Sequence, residues 1–276
     1  DDTFKKIMDG LRENPSMEEV KLWASRALQN LHHGGAELPP EMVKLLESYK
    51  ICYIPFWNGE TGVLVGACCE VNPYGTPANN EGQLIRDNMA VLAATQRELE
   101  RLTREGKQAV IVLPLQAKAL FDPGISEFIV AFIRKIPDTL RKCIIVEIRN
   151  PGQSQLAPAV KAHLETITPL CRALLVDTGI LQQPVHAYGC SFNEVRLEPQ
   201  KMVTLIKKYN AAYNARKIKT YIKNLPDYQM LEMCKESGFT YITSPMLLRP
   251  RLACPTATRM SIDEIKAMGA AAAAKK

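Results

Sequence analysis

The sequence has no apolar run long enough to cross a bilayer. Ala109–Leu115 and Cys143–Val146 fall far short of the roughly 20 residues that a helical span requires. No membrane crossing is expected in this segment, and no charged, apolar, small-residue leader pattern stands at its start. Metal-type cysteine spacing is missing too. The eight cysteines, at 52, 68, 69, 143, 171, 190, 234 and 254, form no C-x-x-C pair, and most lie in apolar runs where a free thiol behaves as a small hydrophobe. Reduced thiols and a cytoplasmic location are the expectation. Charge of one sign is not concentrated either. Lys plus Arg number 35 against 29 for Asp plus Glu, a formal +6, and pairs such as Arg134–Lys135, Arg141–Lys142 and Lys207–Lys208 are scattered. A nucleic-acid surface wants a denser basic stripe, so no nucleic-acid partner is expected. There is no internal repeat. What remains is 276 residues with 46% hydrophobic and 23% charged side chains, an ordinary globular composition that suits one α/β barrel or two smaller domains. The chain opens at Asp1-Asp2 rather than Met, giving the expectation of a piece of a longer protein.

Residues 1–50 read as a helical arm. Ser16 and Glu19 make a capping box ahead of Val20, Trp23, Ala24, Ala27, Leu28 and Leu31 at helical spacing, and Pro39-Pro40 precedes a second short helix. From Ile51 the period changes. Ile51–Phe56 and Gly62–Cys69 read as two strands of a hairpin turning at Asn58-Gly59. A long helix follows from about Gln83 to Arg104. Strand-like runs then alternate with helix-like ones: 109–115, 143–149, 173–177, 193–197, 218–222 and 239–243, each followed by a helical stretch or loop. About eight strands with helices between them predict a modified TIM (β/α)8 barrel in which the opening hairpin makes one strand antiparallel. The barrel is assigned to 51–269, and 270–276, alanines ending in Lys275-Lys276, to a disordered tail.

In such barrels the working side chains gather at the C-terminal ends of the parallel strands. Those ends carry Cys68 or Cys69, Pro114, Glu147, Asp177, Arg196, Asn224 and Thr243.

A family resemblance runs through these positions. Tyr53-Ile54-Pro55-Phe56 followed by Thr61-Gly62-Val63-Leu64-Val65-Gly66 resembles the opening of EAL domains, the cyclic di-GMP phosphodiesterase fold. Gln116–Pro123, Ile144–Ile148, Asp177-Thr178-Gly179, Val195-Arg196-Leu197-Glu198 and Leu231–Gly238 with Tyr241-Ile242 are similar to later segments of that family in its own order. The resemblance spans about residues 50–250. It implies a modified TIM barrel and a bacterial, cytoplasmic signalling protein.

The family hydrolyses cyclic di-GMP with two divalent cations, which want hard oxygen ligands. Carried over position by position, its E-A-L glutamate falls on Cys68, its asparagine ligand on Pro114, its second aspartate on Thr178, its catalytic lysine on Arg196, a late glutamate on Asn224 and a glutamine on Thr243. Glu147 and Asp177 keep their carboxylates. Glu70 is expected to point elsewhere or to the far face. Arg196, whose guanidinium stays protonated, cannot take over proton transfer. The expectation is a catalytically dead barrel with no metal and no cofactor.

Three readings stand beside one another. The first is a non-enzymatic module that docks a protein partner or a second copy, with the N-terminal helices in the interface. The second is a metal-independent cyclic di-GMP receptor in which Glu147, Arg149, Asp177, Arg196, Lys223 and Arg249 line the site and cations hold the phosphates, Tyr188, Phe192 or Tyr221 stacking the base; the plainer alternative pairs these cations with Glu194, Glu198 or Asp227. The third is a barrel enzyme of another class using Glu147 and Asp177 as an acid/base pair. A reactive Cys68-Cys69 with His186, and a metal site at His32-His33 or His163, are weaker alternatives to packing. Trp57 is either an exposed contact or a lid on the barrel bottom.

Overall fold

The computed structural model describes residues 17–33, 40–71, 80–150, 158–177, 189–192, 199–215, 217–244 and 248–273. β1 (Ile51–Asn58) and β2 (Val63–Val71) form the antiparallel hairpin. Its turn is built as the sequence implies: Asn58 Oδ1 accepts the backbone N–H groups of Glu60 and Thr61 at 2.9 and 3.0 Å. The left-handed residue is Gly62, at φ 65°, a conformation that an L side chain rarely adopts. Parallel strands follow as β3 (Val110–Gln116), β4 (Ile144–Arg149), β5 (Ala173–Asp177), β6 (Gly189–Phe192), β7 (Thr220–Ile222) and β8 (Tyr241–Thr243).

Pairing runs in order from β2 to β8, and β1 joins β2 and β8, antiparallel to both. The eight strands therefore close into a TIM-like barrel with one reversed strand. A two-residue β9 (Thr258–Arg259) adds to the start of β2. The sixth strand departs from the sequence reading. Residues 193–197 lie outside the described residues, and Gly189–Phe192 takes the sixth place, between β5 and β7.

The helices are α1 (Met17–His33), α2 (Pro40–Glu47), α3 (Glu81–Arg104), α4 (Ala117–Leu120), α5 (Pro123–Lys135), α6 (Asp138–Arg141), α7 (Pro158–Ile167), α8 (Pro199–Ala215), α9 (Tyr228–Glu236) and α10 (Ile262–Ala273). Local chemistry starts several of them. Asn80 Oδ1 accepts from the Gln83 N–H at 2.8 Å to cap α3, and Asp122 caps α5 ahead of Pro123. Ala270–Ala273, assigned to the tail by sequence, continue α10. The described helices of the arm are packed down: Val20 and Ala24 of α1, Leu46 of α2 and Tyr49 belong to the main apolar cluster, and Lys21 pairs with Asp122 at 3.0 Å. Ser16 lies outside the described residues.

Strand period sorts the core into two shells. Ile111, Leu113 and Leu115 of β3 and Ile144, Val146 and Ile148 of β4 face the helices. Their alternates Val112 and Ile145 join Phe56, Cys68, Leu175 and Tyr221 in a separate cluster inside the barrel, where Phe56, Tyr221 and Tyr241 pack edge to face. Trp57 is neither exposed contact nor lid. It points outward, is buried, donates Nε1–H to the Met260 carbonyl at 2.8 Å and packs in the cluster that holds Ile265 of α10.

Candidate functional site

The interior period places charge above this apolar plug. Glu147 lies two residues beyond Ile145 on β4, and Arg149 two beyond Glu147. Glu70 lies two beyond Cys68 on β2, and Lys223 two beyond Tyr221, just after β7. All four side chains thus rise from the inner wall at the C-terminal end of the parallel strands.

They meet. Arg149 donates through Nη1 to Glu70 Oε2 at 2.9 Å and through Nη2 to Glu70 Oε1 at 2.5 Å. Its Nε donates to Glu147 Oε2 at 2.9 Å. The other oxygen of Glu147, Oε1, accepts from Lys223 Nζ. Glu147 is fully buried and Lys223 is 3% exposed; Arg149 and Glu70 reach outward to 15% and 19% side-chain exposure. Two carboxylates and two cations balance formally. The bidentate Arg149–Glu70 contact is the geometry in which a guanidinium fork matches a carboxylate.

The surroundings tune these groups. Burial pushes the Glu70 carboxyl up, but the Arg149 guanidinium overcomes it and holds the group below the usual carboxylate range. Burial disfavours the charged form of Arg149, and Glu70 and Glu147 outweigh that, keeping it firmly protonated. Cys68 Sγ lies 3.3 Å from Glu70 Oε1. Burial first, and then the Glu70 carboxylate, push its thiol well up, the opposite of what a nucleophile needs. Lys223 Nζ also stands 5.6 Å from the centre of the Tyr221 ring.

Of the six residues singled out by sequence, the structure joins Glu147, Arg149 and Lys223. Asp177 ends β5, two residues beyond Leu175, the register partner of Glu147. Arg249 is exposed on the segment after β8. Arg196 lies outside the described residues, as do Thr178, His186, Tyr188, Glu194 and Glu198. Asp227 caps α9, accepting from the Met230 N–H at 2.8 Å. His163 Nδ1 is hydrogen bonded to Ser126 Oγ at 2.7 Å, and among the described residues no three His, Cys, Asp or Glu side chains converge as a metal site.

Glu70 corrects the sequence reading. The expectation is that it points elsewhere or to the far face, yet it stands on the face of Cys68 and grips Arg149. The signal was the strand period itself, since positions i and i+2 share a face.

Pro114, the register partner of Glu147, offers no side-chain donor, and Thr243 Oγ1 is directed at the Pro55 carbonyl. The backbone beyond Pro114 is held by Asn88 of α3, whose Oδ1 accepts from the Gln116 N–H at 2.8 Å.

No protein family and no curated protein matches the chain by sequence. Solved structures match it in architecture. The EAL domain of Mycobacterium smegmatis DcpA superposes at TM-score 0.58 with 14% identity over 81% of this chain and 98% of that one. The fold is that of EAL domains. The EAL domain protein of Listeria monocytogenes gives TM-score 0.57 and 13% identity over 85% of this chain and 99% of its own. Bacillus subtilis YkuI, a protein with an EAL domain solved in complex with substrate c-di-GMP and calcium, gives 0.59 and 12% over 85% of this chain and 63% of its own. Identities this low carry the fold and not the activity.

Proposed function

We propose that this EAL-like barrel is a catalytically inactive module of cyclic di-GMP-related signalling that works by docking a protein partner. One observation carries the reading: both oxygens of Glu147 and both of Glu70 are engaged by the chain's own Arg149 and Lys223. A pair of hard dications wants about six oxygen ligands each. Here Glu147 and Glu70 already have cations, Pro114 contributes no donor and Cys68 is a protonated thiol. The residues present do not fit a metal pair. An acid/base enzyme on Glu147 fares no better, because a fully buried carboxylate held by two cations is poorly placed to accept a substrate proton.

Docking is supported by the packed N-terminal helices. Leu22 on α1 and Phe121 before α5 are 49% and 44% exposed, and they are the chain neighbours of the Lys21–Asp122 ion pair. The partner is protein, a second copy included.

Two measurements test the reading. Incubation with cyclic di-GMP and Mg2+ or Mn2+, followed by product analysis, should show no turnover above the protein-free control; turnover overturns it. Calorimetry with cyclic di-GMP in EDTA should show no binding. Metal-independent binding that Arg196→Ala weakens would move the assignment to a receptor.

A further inference from the structure

Four charged groups of the mouth come from parts of the barrel that are not neighbours. Glu70 is on β2, Glu147 and Arg149 on β4, and Lys223 follows β7, three strands further round. Lys223 therefore reaches Glu147 across the barrel interior, and Arg149 bridges the two carboxylates. Without the two bases, two carboxylates would be left facing an interior where an uncompensated charge is costly. Such a site either takes up protons or binds a cation.

We infer that Arg149 and Lys223 are resident counter-ions, which occupy the barrel mouth in place of divalent cations, so that the mouth is assembled without metal and accepts a divalent cation only when one or both of those side chains are removed. The inference rests on the reading that the mouth is not a metal centre. Three features favour it over an incidental surface pairing. Lys223 is almost wholly buried and Glu147 wholly so, which makes the contact a part of the interior. Each oxygen of both carboxylates has a basic partner. The oxygens are hard donors, the kind that Mn2+ or Mg2+ takes. A consequence is that the folded state of this module is indifferent to divalent-cation concentration.

The test is thermal unfolding of the full chain, with Mn2+ binding followed by electron paramagnetic resonance, on the wild type, Lys223→Met and Arg149→Met/Lys223→Met. The wild-type midpoint should not move with Mn2+ or EDTA. The double variant should melt below the wild type in EDTA and rise by about 5 °C or more at a hundredfold excess of Mn2+ over its Kd, with loss of the free-ion signal. Lys223→Met, which keeps the Arg149–Glu70 pair, should respond less. Adding Glu147→Gln to the double variant should abolish the response, which assigns the ion to this site. The inference is overturned if the wild type binds Mn2+ as well as the variants do. It is equally overturned if neither variant gains Mn2+-dependent stability, or if the double variant stays unfolded by circular dichroism in Mn2+ while Lys223→Met is unresponsive. Hydrolysis of cyclic di-GMP by the wild type would defeat the functional proposal; unresponsive variants of an inactive wild type would defeat this one alone.

Discussion

Replacing Lys223 by Met leaves one oxygen of a fully buried carboxylate without its cation. Removing one partner of a buried pair typically costs about 3–5 kcal/mol, more than removing both. Urea unfolding should therefore place Lys223→Met well below the wild type and recover part of the loss in Glu147→Gln/Lys223→Met. Acid acts on the same group of side chains through Glu70. Its carboxyl is held below the usual range by Arg149 against the opposing effect of burial. Its contribution is complete above the unfolded-state value of about 4.3 and is lost as the pH falls through the lower folded value. Midpoints measured between pH 7 and pH 3 should fall more steeply below about pH 4.3 for the wild type than for Glu70→Gln. Burial also pushes the thiols of Cys52, Cys234 and Cys254 up, to about 11, 12 and 12. Native protein at pH 8 should react slowly with a thiol reagent at these positions and fully in urea. At this scale the residue types were legible in the sequence. That Glu70 and Arg149, 79 positions apart, would share a bidentate contact depends on which strands become neighbours.

Between elements, the closest fit lies at Gly66. A Cβ there would stand 1.8 Å from the Val110 carbonyl oxygen of β3, so β2 and β3 approach at a distance that only glycine permits. Gly66→Ala has to push the two strands apart and should cost about 3 kcal/mol or more, read as a lowered midpoint in a thermal scan. The hairpin and its reversed strand were readable because Asn58-Gly59 sits between two apolar runs. The sixth strand was not, because a four-residue strand, Gly189–Phe192, has too few positions to display a period against the apolar residues downstream.

For the molecule as a whole, helices α1 and α2, read from the sequence as part of an arm, pack onto the main apolar cluster. Val20, Ala24, Leu46 and Tyr49 are buried in the main cluster, and α1 is tied to the cap of α5 by Lys21 and Asp122. Deleting residues 1–50 should expose that face, lower the thermal midpoint and promote aggregation, measured by light scattering. What the sequence determined by itself was the order and period of the elements, hence a barrel with one reversed strand, because alternation and capping are local. Tertiary structure alone decided the character of the mouth. Long-range pairing requires the closed ring, which sets β2, β4 and β7 round one interior and brings Glu70, Glu147, Arg149 and Lys223 into contact.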